Sequence, residues 1–229
     1  MATTGHTVTA FDNELAELRA KIGEMGGLAE NAIAEAMRAL VQRDGAAAAR
    51  IVADDRKIDA LESEVERSVV QVIALRAPMA DDLREVVAAL KISGVVERIG
   101  DYAKNIAKRV PEIEAQGRIE PLSLLPQMAR VVSEMVKEVL DAFSQRDPQA
   151  ALRVCERDRE VDDFYDTIFR ALLTFMMEDS GNITPSAHLL FVAKNLERIG
   201  DHATNVAEMV FYAATGEQMG ERTKGGTSA

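Results

Sequence analysis

The sequence predicts an all-α protein made of two tandem, pseudo-symmetric three-helix bundles, six long helices in all. Three observations carry this reading. A five-residue segment recurs 100 positions downstream, few stretches alternate with period two, and the apolar content is aliphatic: hydrophobic residues reach 47% while aromatics are 4% and Trp is absent. Ala, Val, Leu, Ile and Met suit helices packed closely together, and strands would need the alternation that is missing. At 229 residues the chain can bury one large core or two small ones.

The repeat is the strongest signal. Glu97-Arg98-Ile99-Gly100-Asp101 returns as Glu197-Arg198-Ile199-Gly200-Asp201, followed in each copy by an Asn (Asn105, Asn205) and an Ala (Ala107, Ala207). Upstream, Asp55-Arg56-Lys57-Ile58-Asp59 answers Asp158-Arg159-Glu160-Val161-Asp162, and Gln42-Arg43-Asp44 answers Gln145-Arg146-Asp147, both now 103 residues apart. The three extra residues fall between the second and third elements of a half, where a loop absorbs them.

Each half therefore divides into three helices. In the first half they run from about Phe11 to Arg43, Ala46 to Leu75 and Ala80 to Glu114, broken at Asp44-Gly45 and Ala77-Pro78. In the second half the breaks are Asp147-Pro148 and Asp179-Ser180-Gly181-Asn182, with Thr184 expected as an N-cap and Pro185 at the first helical position. The domains are thus 9–116 and 120–215, meeting near Gly117 to Pro121, with 216–229 expected as a disordered tail. A single long bundle with helices shared between the halves stays open as an alternative.

The repeats place acids in lines. Residues four apart stand about 40° apart on a helix, so Glu97, Asp101 and Asn105 share one face. The apolar Ile92, Val96, Ile99, Ala103 and Val110 cluster nearly opposite, so this acid line is expected to face outward. Asp55, Asp59, Glu62 and Glu66 form a second line bordering the stripe of Ile51, Ile58, Leu61, Val65 and Val72. Asp158 and Asp162, with Asp166 nearby, repeat it against Val154, Val161, Phe164, Ile168 and Phe175. Like charges at this spacing destabilise a helix by a few tenths of a kcal/mol per pair, so matched pairs in both halves call for a reason. A hard cation held between acid lines on neighbouring helices supplies one, through oxygen ligands suited to Fe³⁺, Mg²⁺, Mn²⁺ or Ca²⁺. The bland alternative is a solvated acidic face. Asp101 has Lys104 and Lys108 near it whereas Asp201 has Thr204 and Glu208, so the second site is expected to be the more electronegative.

Other residues read as structural. Gly100 and Gly200 stand mid-helix, where they admit another helix. Arg98 and Arg198 flank the acids and could bridge to a neighbour. His202 is expected to pack instead of ligating, and Met25, Met128, Met176 and Met177 to fill the core. Cys155 is the single cysteine, so no disulfide forms within the chain and a reducing, cytoplasmic setting is expected. It lacks a paired base, which argues against a nucleophile. A formal net charge of −11 excludes nucleic acid as a partner. The first ten residues have neither a basic start nor an apolar core, and no apolar run approaches membrane-spanning length.

These motifs resemble the PhoU family from about Phe11 to Thr215. The resemblance is carried by the two E-R-I-G-D-x-x-x-N segments, the two D-x-x-[IV]-D segments, Ala77-Pro78-Met79-Ala80-Asp81-Asp82-Leu83-Arg84, and His188-Leu189-Leu190-Phe191-Val192-Ala193-Lys194-Asn195-Leu196. Ser93-Gly94-Val95-Val96 departs from the more polar lead-in usual before the first motif. The resemblance implies surface metal clusters, of iron or of Mg, Mn or Zn, on Asp55, Asp59, Glu97, Asp101, Asp158, Asp162, Glu197 and Asp201. It also implies a negative regulator of the phosphate-starvation response that catalyses no reaction. Such a protein contacts a PhoR-type sensor histidine kinase and a PstB-type transporter ATPase at the inner membrane, and associates as a homodimer. Rival classes are a carboxylate-bridged di-iron enzyme, which would want an E-x-x-H motif the sequence lacks, and a metal-free helical adaptor.

Overall fold

The computed structural model describes residues 3–114 and 123–220, with side chains from Phe11 onward. The expected junction at Gly117 to Pro121 and the end of the tail, 221–229, lie outside the described residues. The elements are α1 (Thr3–Gln42), α2 (Gly45–Asp54), α3 (Arg56–Arg76), α4 (Ala80–Ala107), α5 (Val110–Glu114), α6 (Leu124–Gln145), α7 (Pro148–Glu178) and α8 (Ile183–Thr215), with no strand among the described residues. They make six rods, since α2 and α3 are one helix interrupted at Asp55 and α5 prolongs α4. At Asp55 the backbone stays helical while the N–H to Ile51 O bond stretches to 3.3 Å.

The repeat is visible in how the rods begin. Asp44 caps α2 by accepting the Ala47 N–H at 2.8 Å. Its counterpart Asp147 caps α7, accepting the N–H groups of Gln149 and Ala150 at 2.9 and 3.1 Å, with Pro148 at the first helical position. The residue before each cap, Arg43 and Arg146, is left-handed with φ of 56° and 55°. The expected cap at Thr184 is corrected: α8 already starts at Ile183. Asp179 accepts the Gly181 N–H at 2.8 Å and opens a short 3₁₀ turn, Ser180–Asn182, that runs straight into the helix.

Each half is a three-helix unit, α1 with α2/α3 and α4, and α6 with α7 and α8, but the units are fused side by side. α1 packs on α6 and α4 on α8, so these four form a shared central layer with α3 and α7 on its flanks. α4 and α8 run antiparallel, because Arg84 meets Gly216 near one end and Arg109 lies over Phe191 near the other. One continuous core results, with Leu18, Ile33, Val96, Ile99, Met128, Leu196 and Ile199 among its members. Met25 and Met128 fill it as expected. Met176 is only half-buried, and Met177 is corrected outright: it is 88% exposed, one residue past the stripe that α7 turns inward.

Candidate functional site: two carboxylate seams

The first seam lies where α3 crosses α4. Gly100 sets the distance: a Cβ built there would stand 2.7 Å from Ile58 Cδ1 and 3.6 Å from the Asp55 carboxylate. Further along, a Cβ at Gly94 would stand 3.3 Å from Glu62 Oε1. Bare backbone at these positions lets α3 lay its acids against α4. Asp55, Asp59 and Glu62 thus face Glu97 and Asp101. The expectation that Glu97 and Asp101 face freely outward is corrected, because both are half-buried in the crevice between the helices.

Charge within this seam is unevenly balanced. The Lys104 ammonium bridges Asp55 and Asp101, and the Asp55 side chain is only 8% exposed. Burial alone would lower the lysine's pKa, but the two aspartates hold it well above its ordinary value. At the other end Glu97 is pushed up to about 7 by burial, with Asp101, Glu62, Asp59 and Asp55 adding repulsion. Burial also raises Asp59, helped by Asp55 and Asp101 and opposed by Lys104. It raises Glu62 too, with Glu66, Asp59 and Asp101 contributing.

The second seam repeats the backbone and changes the charges. A Cβ at Gly200 would stand 3.2 Å from Val161 and 3.6 Å from the Asp158 carboxylate, so Asp158 holds the place of Asp55. Asp158 and Asp201 are half-buried and Asp162 is exposed. Glu197 is 16% exposed and pairs with Lys194 at 2.6 Å. Thr204 stands where Lys104 stands in the first half; it is buried, and its hydroxyl donates to the Asp201 carbonyl at 2.7 Å. Each seam therefore holds a lysine at a different station: on the aspartate pair in the first half, on the glutamate in the second.

A groove of about 1540 Å³ runs between α4 and α8, with Glu62 and Glu97 on one wall and Asp201 and Glu208 on the other. Arg84, Lys91 and Arg98 also line it, as do Gln218 and Met219 where the chain folds back beyond α8. Among the described residues, no three His, Cys, Asp or Glu side chains are gathered tightly enough to hold one metal ion as they stand. His202 packs, as expected, stacking on Tyr102. Cys155 is half-buried, and its Sγ stands 3.6 Å from Met219 Sδ. Sequence reasoning named Lys104 only as a neighbour of Asp101. Its bridge to Asp55, and the groove between the seams, depend on helix pairings that spacing along one helix does not reveal.

Comparison with known proteins agrees with this architecture. The profile of the PhoU domain matches residues 22–110 and again 125–210, one match per half. The chain is 60% identical over 221 residues to the phosphate-specific transport system accessory protein PhoU homolog of Zymomonas mobilis, covering 96% of this chain and 93% of that one. It is 48% identical, at the same coverage, to the homolog of that name from Rhizobium meliloti. The crystal structure of PhoU from Pseudomonas aeruginosa superposes with a TM-score of 0.86 at 36% identity, over 90% of this chain and 100% of that one. That of the phosphate transport system regulatory protein PhoU from Streptococcus pneumoniae gives 0.85 at 28% identity, over 92% and 100%. With the repeat, the six rods and the full-length relatives in agreement, this chain belongs to the PhoU family.

Proposed function

We propose that this protein is an accessory regulator of the phosphate-specific transport system that keeps the phosphate-starvation response off while phosphate is plentiful. The observation that carries the reading is the 60% identity, over nearly the whole of both chains, to a relative named as an accessory protein of that system. The protein works by contact and not by catalysis, docking in the cytoplasm on a PhoR-type sensor histidine kinase and a PstB-type transporter ATPase, with a homodimer as the working unit. Attachment to the inner membrane runs through those partners in this reading; among the described residues no helix is long and apolar enough to cross a membrane.

The carboxylate seams are the sites for a metal ion, iron or Mg, Mn or Zn. Asp55, Asp59, Glu97 and Asp101 are the candidates in the first half and Asp158, Asp162, Glu197 and Asp201 in the second. The donor chemistry fits: all are oxygen ligands, and the burial and, after it, the like-charge repulsion that raise Glu97 are what a cation would offset. A bound ion would supply positive charge that draws each pair of helices together. A di-iron enzyme is disfavoured because the first-half acids lie in a crevice between helices, outside the aliphatic core.

The test is genetic and biochemical. A deletion strain should express phosphate-scavenging genes constitutively, and tagged protein from phosphate-replete cells should co-purify kinase and ATPase. Normal repression in the deletion strain would remove the regulatory reading.

A further inference from the structure

Beyond α8 the chain turns back onto the molecule. Gly216 takes a φ of 76°, its N–H closing the helix on the Tyr212 carbonyl at 2.8 Å, and the Thr215 hydroxyl accepts the Glu217 N–H at 3.1 Å. The bare α-carbon of Gly216 lies against Arg84 of α4: a Cβ there would stand 3.3 Å from Arg84 Cζ. Three residues on, Met219 is half-buried, its Sδ 3.6 Å from the Sγ of Cys155, about two turns into α7. α7 and α8 are joined by the short turn at 180–182 and pack antiparallel. A strap leading from the end of α8 to Cys155 therefore runs back along α8, in the direction α7 takes. Gln218, Met219 and Gly220 line the groove between α4 and α8, and the described path stops there, with residues 221–229 still to follow.

Reach and charge say where that segment goes. An extended chain advances about 3.3 Å per residue and a helix about 1.5 Å. Arg222, three residues past Met219, is thus about 10 Å further on, the rise of about seven helical residues. Counted along α7 from Cys155, that distance passes Asp158 and reaches Asp162. Asp158 itself stands at Gly200, the residue before Asp201, where a Cβ would be 3.6 Å from its carboxylate. Alternate side chains of an extended segment point to opposite sides, so Arg222 and Lys224 share one side and Glu221 takes the other. The groove has the matching order, with Arg84 and Lys91 on its α4 wall and Asp201 and Glu208 on its α8 wall. We infer that residues 221–229 dock along α8, with Arg222 and Lys224 against Asp158, Asp162 and Asp201, and Glu221 toward Arg84 and Lys91. The segment is a built-in occupant of the second half, one that a basic partner must displace to reach the same acids. The docking needs no metal and holds whether or not the seams take one.

The test is nuclear magnetic resonance of the full chain carrying Cys155→Ala and Gly225→Cys, with a nitroxide on the introduced thiol. Isotope-labelled, spin-labelled protein is diluted into an excess of unlabelled chain, so that only contacts within one chain are read. Amide signals of residues 155–162 and 201–208 should lose intensity relative to the reduced nitroxide, while those of α1 stay sharp. Adding Arg222→Glu together with Lys224→Glu should restore the lost signals. Circular dichroism checks that each variant is folded, and Cys155→Ser replaces Cys155→Ala if that variant is not. Sharp signals along α7 and α8 before the charge reversal, or losses that survive it, overturn the inference. So do losses seen only when spin-labelled chain is mixed with isotope-labelled chain lacking the nitroxide, which would give the groove to the tail of a second copy.

Discussion

Tyr102 and His202 stack on each other across the interface of α4 and α8, ring centroids 5.3 Å apart and planes 24° from parallel, with Tyr102 Oη 3.2 Å from His202 Nε2. They hold the same position in the repeat, directly after Asp101 and Asp201, so the pseudo-twofold axis passes between them. Arg198 lies over the Tyr102 ring at 5.9 Å and extends the stack.

This pair should show a measurable coupling. A Tyr102→Ala and His202→Ala double-mutant cycle is expected to give about 1 kcal/mol beyond the single losses, the range for stacked rings. Burial first, and Arg98 second, hold the histidine below its ordinary pKa. Its folded value is depressed, so the unfolded chain takes the proton first as pH falls. The stabilisation is complete above the ordinary histidine value and declines below it. Urea unfolding of wild type and His202→Ala at about pH 8 and about pH 5.5 should show His202 contributing less stability at the lower pH; an equal or larger contribution there would refute the assignment.

The mid-helix glycines should not be equivalent. Alanine gains about 1 kcal/mol over glycine in a helix, but overpacking costs about 1–3 kcal/mol. At Gly100 the new methyl would meet Ile58 Cδ1 at 2.7 Å, so Gly100→Ala is expected to destabilise by about 1 kcal/mol net. At Gly200 the nearest atom is 3.2 Å away, and Gly200→Ala should be close to neutral. Denaturant midpoints for the two variants decide this, and the reverse order would mean that Ile58 yields more readily than Val161.

Much of this was legible in the residues themselves. The duplicated Glu97–Asp101 and Glu197–Asp201 segments announced two alike halves, and Asp44-Gly45 and Asp147-Pro148 announced helix breaks, because repeats and breaks are local patterns. Gly100 and Gly200 declared a close helix crossing by standing where a helix disfavours them. What one strand of text could not carry was which rods meet. The antiparallel docking of α4 on α8 pairs Tyr102 with His202 and Arg84 with Gly216, residues whose spacing in sequence encodes nothing. Taken alone, α4 carries its acid line on the open side; α3 packs over that side, and the outward face is a crevice. α8 begins before Thr184 because Asp179 captures a backbone N–H earlier than Thr184 could.

Glu97 should make the stability of the chelator-treated protein pH-dependent. Its pKa is raised in the folded state to about 7, chiefly by burial. The unfolded chain therefore loses this proton first, and folding is weakened as pH climbs from the ordinary glutamate range to about 7, then no further. Glu97→Gln removes the penalty. It should stabilise by an amount on the order of 1 kcal/mol at about pH 8, given solvent screening of a half-exposed group, and by nothing at about pH 5. Thermal melts of both proteins across that range are the measurement, and a pH-independent difference would mean that Glu97 is solvated.

Glu85 ties the two halves together from inside. Its side chain is 4% exposed at the start of α4, Oε1 accepts from Arg19 Nε of α1 at 2.6 Å, and Arg146 Nε of the α6–α7 turn stands 3.3 Å from Oε2. The carboxylate thus touches a cation from each half. Removing it strands the partly buried Arg19 guanidinium, and breaking one partner of a buried pair costs about 3–5 kcal/mol. Glu85→Ala should fall at the lower end of that range, since Arg146 is 43% exposed and can turn to water. For the same reason Arg146→Ala should lose only about 1 kcal/mol, as expected of a partly solvated pair. Urea denaturation followed by circular dichroism distinguishes them. If Glu85→Ala unfolds at the wild-type midpoint, Arg19 finds another partner and the two halves are held by apolar packing alone.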